Sequence, residues 1–259
     1  MMYVRFAYDI AKDKANYQYC LVDKAYPNYG RDQINILPSF ALELQSKLES
    51  ASTPAEKHEV IASHLQSTYS ERPLLTLSAD TLSRAWDIIS SPYIDKLCRY
   101  FQIKKYKALP ITCYLTTLQM CPYNHSQRYF YVPFYANLAD QTRIAMHELM
   151  HIVFLDNYEQ YLAEKGISKQ GTLDICESLT VLLNLEFKEF LLSPERNNKP
   201  TTQGLQDKIV ELYKAKEPFV EILDELIRFR VSEQPPMPAP SHAQQNTRFT
   251  KNKSSSIEA

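Results

Sequence analysis

The chain has 259 residues, 29 Lys+Arg against 30 Asp+Glu, a net charge of −1, and 44% hydrophobic and 23% charged residues. This is enough for one domain with a sizeable core or at most two small ones, and the near-neutral charge argues against nucleic acid or an anionic membrane as the main partner. With 4 glycines, no GxGxxG or P-loop can be assembled, and 5 cysteines without a CxxC pair exclude a disulfide framework in favour of buried thiols in a reducing compartment.

The opening MMYVRFAYDIAKDK lacks the apolar core and cleavage site of a signal peptide. No apolar run reaches membrane-spanning length, so a cytoplasmic protein is expected. Residues 3–10 read as a short strand and 23–33, with Pro27, Asn28 and Gly30, as a loop. Leu37, Phe40, Ala41, Leu44 and Leu48 recur at helical spacing. Thr53-Pro54-Ala55-Glu56 predicts a helix start, with proline in the first turn and Glu56 closing a capping box on Thr53, and that helix should run to about Tyr69. Another helix is predicted from Ser78 or Asp80, carrying Leu82, Trp86 and Ile89, and a further one from Pro92 to Tyr100.

The texture changes near Leu109. Residues 111–118 are β-branched and aromatic and read as a strand, 121–126 as a loop, and 128–135 as a second strand. Pro133 cannot donate to a ladder, so this second strand should lie at a sheet edge or end at the proline. A helix is predicted from Asn137–Asp140 to about Leu155, then a polar stretch over 156–171, a long helix over 173–192, and two more over 205–215 and 218–231. The reading is α+β and mostly helical: residues 1–108 as the helical first part of one domain, 109–232 as its core with C-terminal helices, and 233–259 as a disordered tail poor in apolar residues.

The helix predicted after Asn137 contains His147-Glu148-Leu149-Met150-His151. Residues four apart stand one turn above each other on a helix, so both imidazoles can reach one tetrahedral ion at ~2.0–2.1 Å. Glu148 is displaced around the helix, where it can serve as general base without being a ligand. Two core histidines can fall four apart by chance. The neighbours Ile144, Ala145, Met146, Leu149, Met150, Ile152, Val153, Phe154 and Leu155 weigh against chance, because a charged Glu148 in so apolar a run is costly without a cation.

A catalytic zinc site takes three protein ligands. A histidine at 157 would be one solution, but that position is Asn157, and the only later histidine is His242. A carboxylate is therefore required. Glu177 is the first choice and Asp174 the rival; Asp156 and Glu159 follow the first helix too closely. Asp174, Glu177, Thr180 and Asn184 share one helical stripe, which alternatively faces water, or Asp174 and Glu177 form a capping box.

His147-Glu148-x-x-His151 followed by Glu177 on a second helix resembles the gluzincin branch of the zincin metallopeptidases, over roughly residues 110–192. The resemblance implies one Zn2+ per chain on His147, His151 and Glu177, with Glu148 as base. It also implies a zincin-like fold with a small sheet whose edge strand, here 128–135, receives an extended peptide or protein substrate. A member of that branch such as thermolysin carries an aspartate four residues after the ligand glutamate; here that position is Val181, so the support for a ligand histidine must come from elsewhere. The expected activity is hydrolysis of peptide bonds by an activated water, with Tyr158, Tyr161, Tyr213 and His125 as possible oxyanion donors. The alternative from another class is a catalytically silent zinc-binding regulatory or interaction module.

Overall fold

The computed structural model describes residues 4–23, 42–71, 74–104, 106, 109–195 and 200–233. It is mostly helical with a small sheet, an α+β chain. The sequence expectations over 24–41, and the tail beyond Glu233, lie outside the described residues.

Strand β1 (Val4–Tyr8) leads into α1 (Ile10–Tyr17), capped by Asp9, whose side chain accepts from the amides of Ala11 and Lys12. A π-helical turn, Gln18–Val22, continues it. Helix α2 (Leu42–Ser50) precedes α3 (Pro54–Glu71), where the predicted capping box forms: the Glu56 amide donates to Thr53 Oγ1 at 3.2 Å and Glu56 Oε2 accepts from the Thr53 amide at 3.0 Å.

Helix α4 (Leu74–Tyr100) is one element where the sequence suggests two. Pro92 removes a bond to the carbonyl of Ile88, a residue 77% exposed, so the break lies on the solvent side of the helix. On the opposite side Trp86, Tyr93, Ile94 and Leu97 are buried and hold both halves of the helix against one core.

Among the described residues, β1, β2 (Ile111–Thr116), β3 (Tyr123–Asn124) and β4 (Tyr129–Pro133) form one sheet in the order β1-β2-β4-β3. The first two pairings are parallel and the last antiparallel. The strand expected over 128–135 ends at Pro133, and it is not the edge: β3, formed within the segment 121–126 expected as a loop, pairs outside Tyr129 and Phe130. Val4, Ile111, Cys113, Leu115, Phe130 and Val132 face the buried side of the sheet, covered by α4 and by α5 (Leu138–Glu164).

The remaining helices are α6 (Lys169–Leu179), α7 (Leu182–Leu185), α8 (Gln203–Lys214) and α9 (Phe219–Glu233). Helix α5 runs nine residues past the expected Leu155 because its last turns are amphipathic: Leu162 is buried while Asn157, Glu159, Gln160 and Glu164 lie outward or half-outward. Gly166, at φ +78°, then closes the helix, with its amide on Ala163 and the Ile167 amide on Leu162. The long helix expected over 173–192 starts early, at Lys169, and breaks after Leu179, where Thr180 Oγ1 donates back to the Glu177 carbonyl at 2.7 Å. One large core joins α4, the sheet, α5, α6, α8 and α9; a smaller one gathers Tyr17, Cys20, Leu44, Ile61, Leu65 and Leu118.

Candidate metal centre

Asn137 caps α5, its side chain accepting from the Asp140 amide at 2.9 Å. From Ala145 to Leu155 the helix is buried on nearly every side, apart from His147 at its less covered face. His147 and His151 stand one turn apart with rings edge to face, centroids 4.5 Å apart. The turn at Gly166 sends α6 back beside α5. Its start is capped by Ser168, and Gly171 leaves room for the connecting turn, since a Cβ there would come within 2.9 Å of Ile167 Cγ2.

This return places Glu177 Oε2 3.6 Å from His147 Nε2 and 3.7 Å from His151 Nε2. The three side chains form a group able to hold a metal ion. The separations are too long for hydrogen bonds and close to the ~3.3–3.4 Å between ligands that share a tetrahedral ion at ~2.0–2.1 Å. The donor chemistry, two imidazole nitrogens and one carboxylate, suits zinc's N/O preference. Glu148 is 7% exposed on the same helix. Burial opposes charge on His147, yet the carboxylates of Glu177, Glu195 and Glu148 outweigh it and raise its pKa to about 10.

Behind the rings, the two Nδ1 atoms face different partners. Glu195 Oε1 lies 3.4 Å from Nδ1 of His147, and Cys176 Sγ lies 3.0 Å from Nδ1 of His151. In comparisons with known proteins, no family model, curated protein or solved structure matches the chain.

The stripe of Asp174, Glu177, Thr180 and Asn184 is neither a water-facing surface nor a capping box. Asp174 lies mid-helix, pairs with Arg230 of α9 and accepts from Gln170 Nε2 at 2.9 Å, so it points away from the imidazoles. Asn184 clamps the backbone of Glu195 from both sides, donating to its carbonyl at 2.9 Å and accepting from its amide at 2.8 Å. Asp156 and Glu159 are engaged by His125, at 2.8 and 3.5 Å.

A cleft of about 670 Å³ opens beside Glu177, lined by Glu148 and Glu177, by Leu155 and Leu173 of the two helices, and by Tyr123 and Asn124 of β3. The Tyr123 ring lies 5.1 Å from that of His151. Burial, then Cys176, Glu148 and Glu177, drive its hydroxyl well above the usual phenol range, so it stays a neutral donor. Of the tyrosines singled out in the sequence, Tyr158 donates to the Phe101 carbonyl, Tyr161 to Asp224 at 2.6 Å and Tyr213 to Glu186 at 2.9 Å. None of these three lines the cleft; His125 does, from its bond to Asp156.

Sequence reasoning passed over Glu195, Cys176 and Tyr123 as site residues. Cys176 had a signal, because it follows Ile175 at the position preceding the ligand candidate. Glu195 had none, since a glutamate after Ser193-Pro194 carries no periodic pattern.

Proposed function

We propose that the chain is a zinc-dependent peptidase of zincin-like fold, with His147, His151 and Glu177 as ligands and Glu148 as general base. One observation carries this reading: Glu177 Oε2 meets both imidazole Nε2 atoms at 3.6 and 3.7 Å, a spacing suited to a shared cation. Zinc held there supplies Lewis acidity, lowering the pKa of a water toward ~7 and polarising a carbonyl.

The rest is the work of the chain. Glu148, beside His147 and on the cleft wall, accepts the water proton and returns it to the leaving amine. Tyr123 keeps its proton and offers it to the developing oxyanion. An extended peptide adds to the outer edge of β3, whose Tyr123 and Asn124 line the cleft, rather than to β4 as the sequence suggests. Leu155 and Leu173 exclude water beside the reacting bond.

Metal analysis of purified protein alongside hydrolysis of a mixed peptide library tests this. Wild type is expected to carry one zinc per chain and to cleave; Glu148→Gln is expected to keep the zinc and lose cleavage. A wild type loaded with zinc that cuts no peptide would reverse the enzymatic reading and leave a zinc-binding interaction module.

A further inference from the structure

We propose that Glu195 is the positioning residue of the metal centre, holding the His147 ring so that Nε2 faces Glu177. This rests on the metal-centre reading above and adds to it a residue from outside the two ligand helices.

Three observations converge on Glu195. Its carboxylate spans two partners, with Oε1 3.4 Å from His147 Nδ1 and Oε2 2.7 Å from Arg143 Nη1. Its side chain is 4% exposed, so the carboxylate sits where an uncompensated charge is costly. Its place is also fixed. Asn184 bonds both backbone groups of Glu195, and Ser193 Oγ donates to Asp140 Oδ1 at 3.1 Å. Asp140 in turn lies 3.4 Å from Arg143 Nε.

The consequence for His147 follows from elementary acid–base chemistry. A carboxylate at Nδ1 fixes the tautomer with its proton there, leaves the lone pair on Nε2, and makes that nitrogen a stronger donor to a cation. At His151 the neighbour of Nδ1 is a thiol, Cys176 Sγ at 3.0 Å, a weak hydrogen-bonding group. The two rings, one turn apart on one helix, therefore face different groups at Nδ1, a buried carboxylate for His147 and a thiol for His151. The break after α6 makes this possible. A continuous helix to 192 would carry the chain past the site, whereas the turn at Thr180 and the short α7 bring Glu195 back over the first half of α5.

The test is zinc affinity, measured by competition with a chromogenic chelator, together with the visible spectrum of the Co2+-loaded protein and the melting temperature of chelator-treated protein. Glu195→Gln is nearly isosteric and leaves the Asn184 clamp in place. It should weaken zinc binding about 10–100-fold and shift the Co2+ bands, with the melting temperature of chelator-treated protein close to wild type. Glu195→Asp keeps the charge but draws it back from the ring; it should show a smaller loss and serves if the glutamine variant does not fold. Affinity and Co2+ spectrum unchanged in both variants, with zinc bound to wild type, would overturn the assignment of Glu195 alone. A wild type that takes up no zinc would overturn the metal centre and this assignment together.

Discussion

The buried carboxylates of α1 and of the candidate metal centre are compensated in different ways. Asp13, fully buried on α1, accepts from the hydroxyls of Thr116 and Thr117 and from the Thr117 amide, all neutral donors at the end of β2. Asn16 and Tyr17 complete that junction through Thr116, Thr117 and the Met120 carbonyl. Glu177 and Glu195 instead face imidazoles and a guanidinium, and Glu148 sits among them. The first arrangement surrounds a carboxylate with hydroxyl and amide donors. The second gathers anions around ring nitrogens that can bind a cation. A buried acid is therefore not by itself a sign of a metal centre; what it faces decides.

The sharpest way to break the comparison is to remove one acid from each place and measure zinc. Glu177→Ala should lower zinc affinity by at least about a hundredfold, beyond what loss of a supporting residue costs. Asp13→Ala should leave bound zinc at wild-type stoichiometry. If both variants lost zinc alike, the two places would not be distinct.

Stability should respond the other way. Asp13→Ala strands buried donors that join α1 to the sheet, and about 3 kcal/mol of unfolding free energy should disappear in urea titration. A loss within error of zero would mean that the smaller core of Tyr17, Leu44, Ile61 and Leu65 holds the N-terminal helices unaided.

A third acid lies between these cases. Asp156 accepts from Arg128 at 2.8 Å, from Tyr106 at 2.8 Å and pairs with His125 at 2.8 Å. Burial pushes its pKa up, but these partners bring it from an ordinary 3.8 down to about 2. A depressed carboxylate stabilises the fold fully above its unfolded value. The contribution, about 1.5 kcal/mol once solvent screening of this exposed residue is allowed for, is lost as pH falls from about 4 to about 2. Asp156→Asn should flatten the decline in stability across that window, followed by circular dichroism; an unchanged slope would remove Asp156 from the account.

The smallest effect is expected at Asp174. Its carboxylate is buried, but Arg230 is partly exposed and can turn to water, so Asp174→Ala should cost about 1 kcal/mol while zinc content stays at wild-type level. Zinc loss in this variant would reopen the choice between Asp174 and Glu177.

The elements most legible in the sequence are those set by neighbours. The Thr53–Glu56 box opens α3 and Asn137 opens α5 because capping bonds span three residues. Pro92 misleads because its cost depends on whether the Ile88 carbonyl reaches water, a matter of packing. The polar run after Leu155 misleads in the same way, since Leu162 is buried by a core most of whose members are far from it in sequence.

The sequence by itself determined which groups stand one helical turn apart: His147 and His151, with Glu148 beside them, because that relation is built into 3.6 residues per turn. Tertiary structure decided which acid meets both imidazole Nε2 atoms and which lies behind His147. Glu177 rather than Asp174, and Glu195 rather than position 181, follow from where α6 begins, where it breaks, and what α9 offers to Asp174. Those contacts join residues far apart along the chain, and no local spacing rule encodes them.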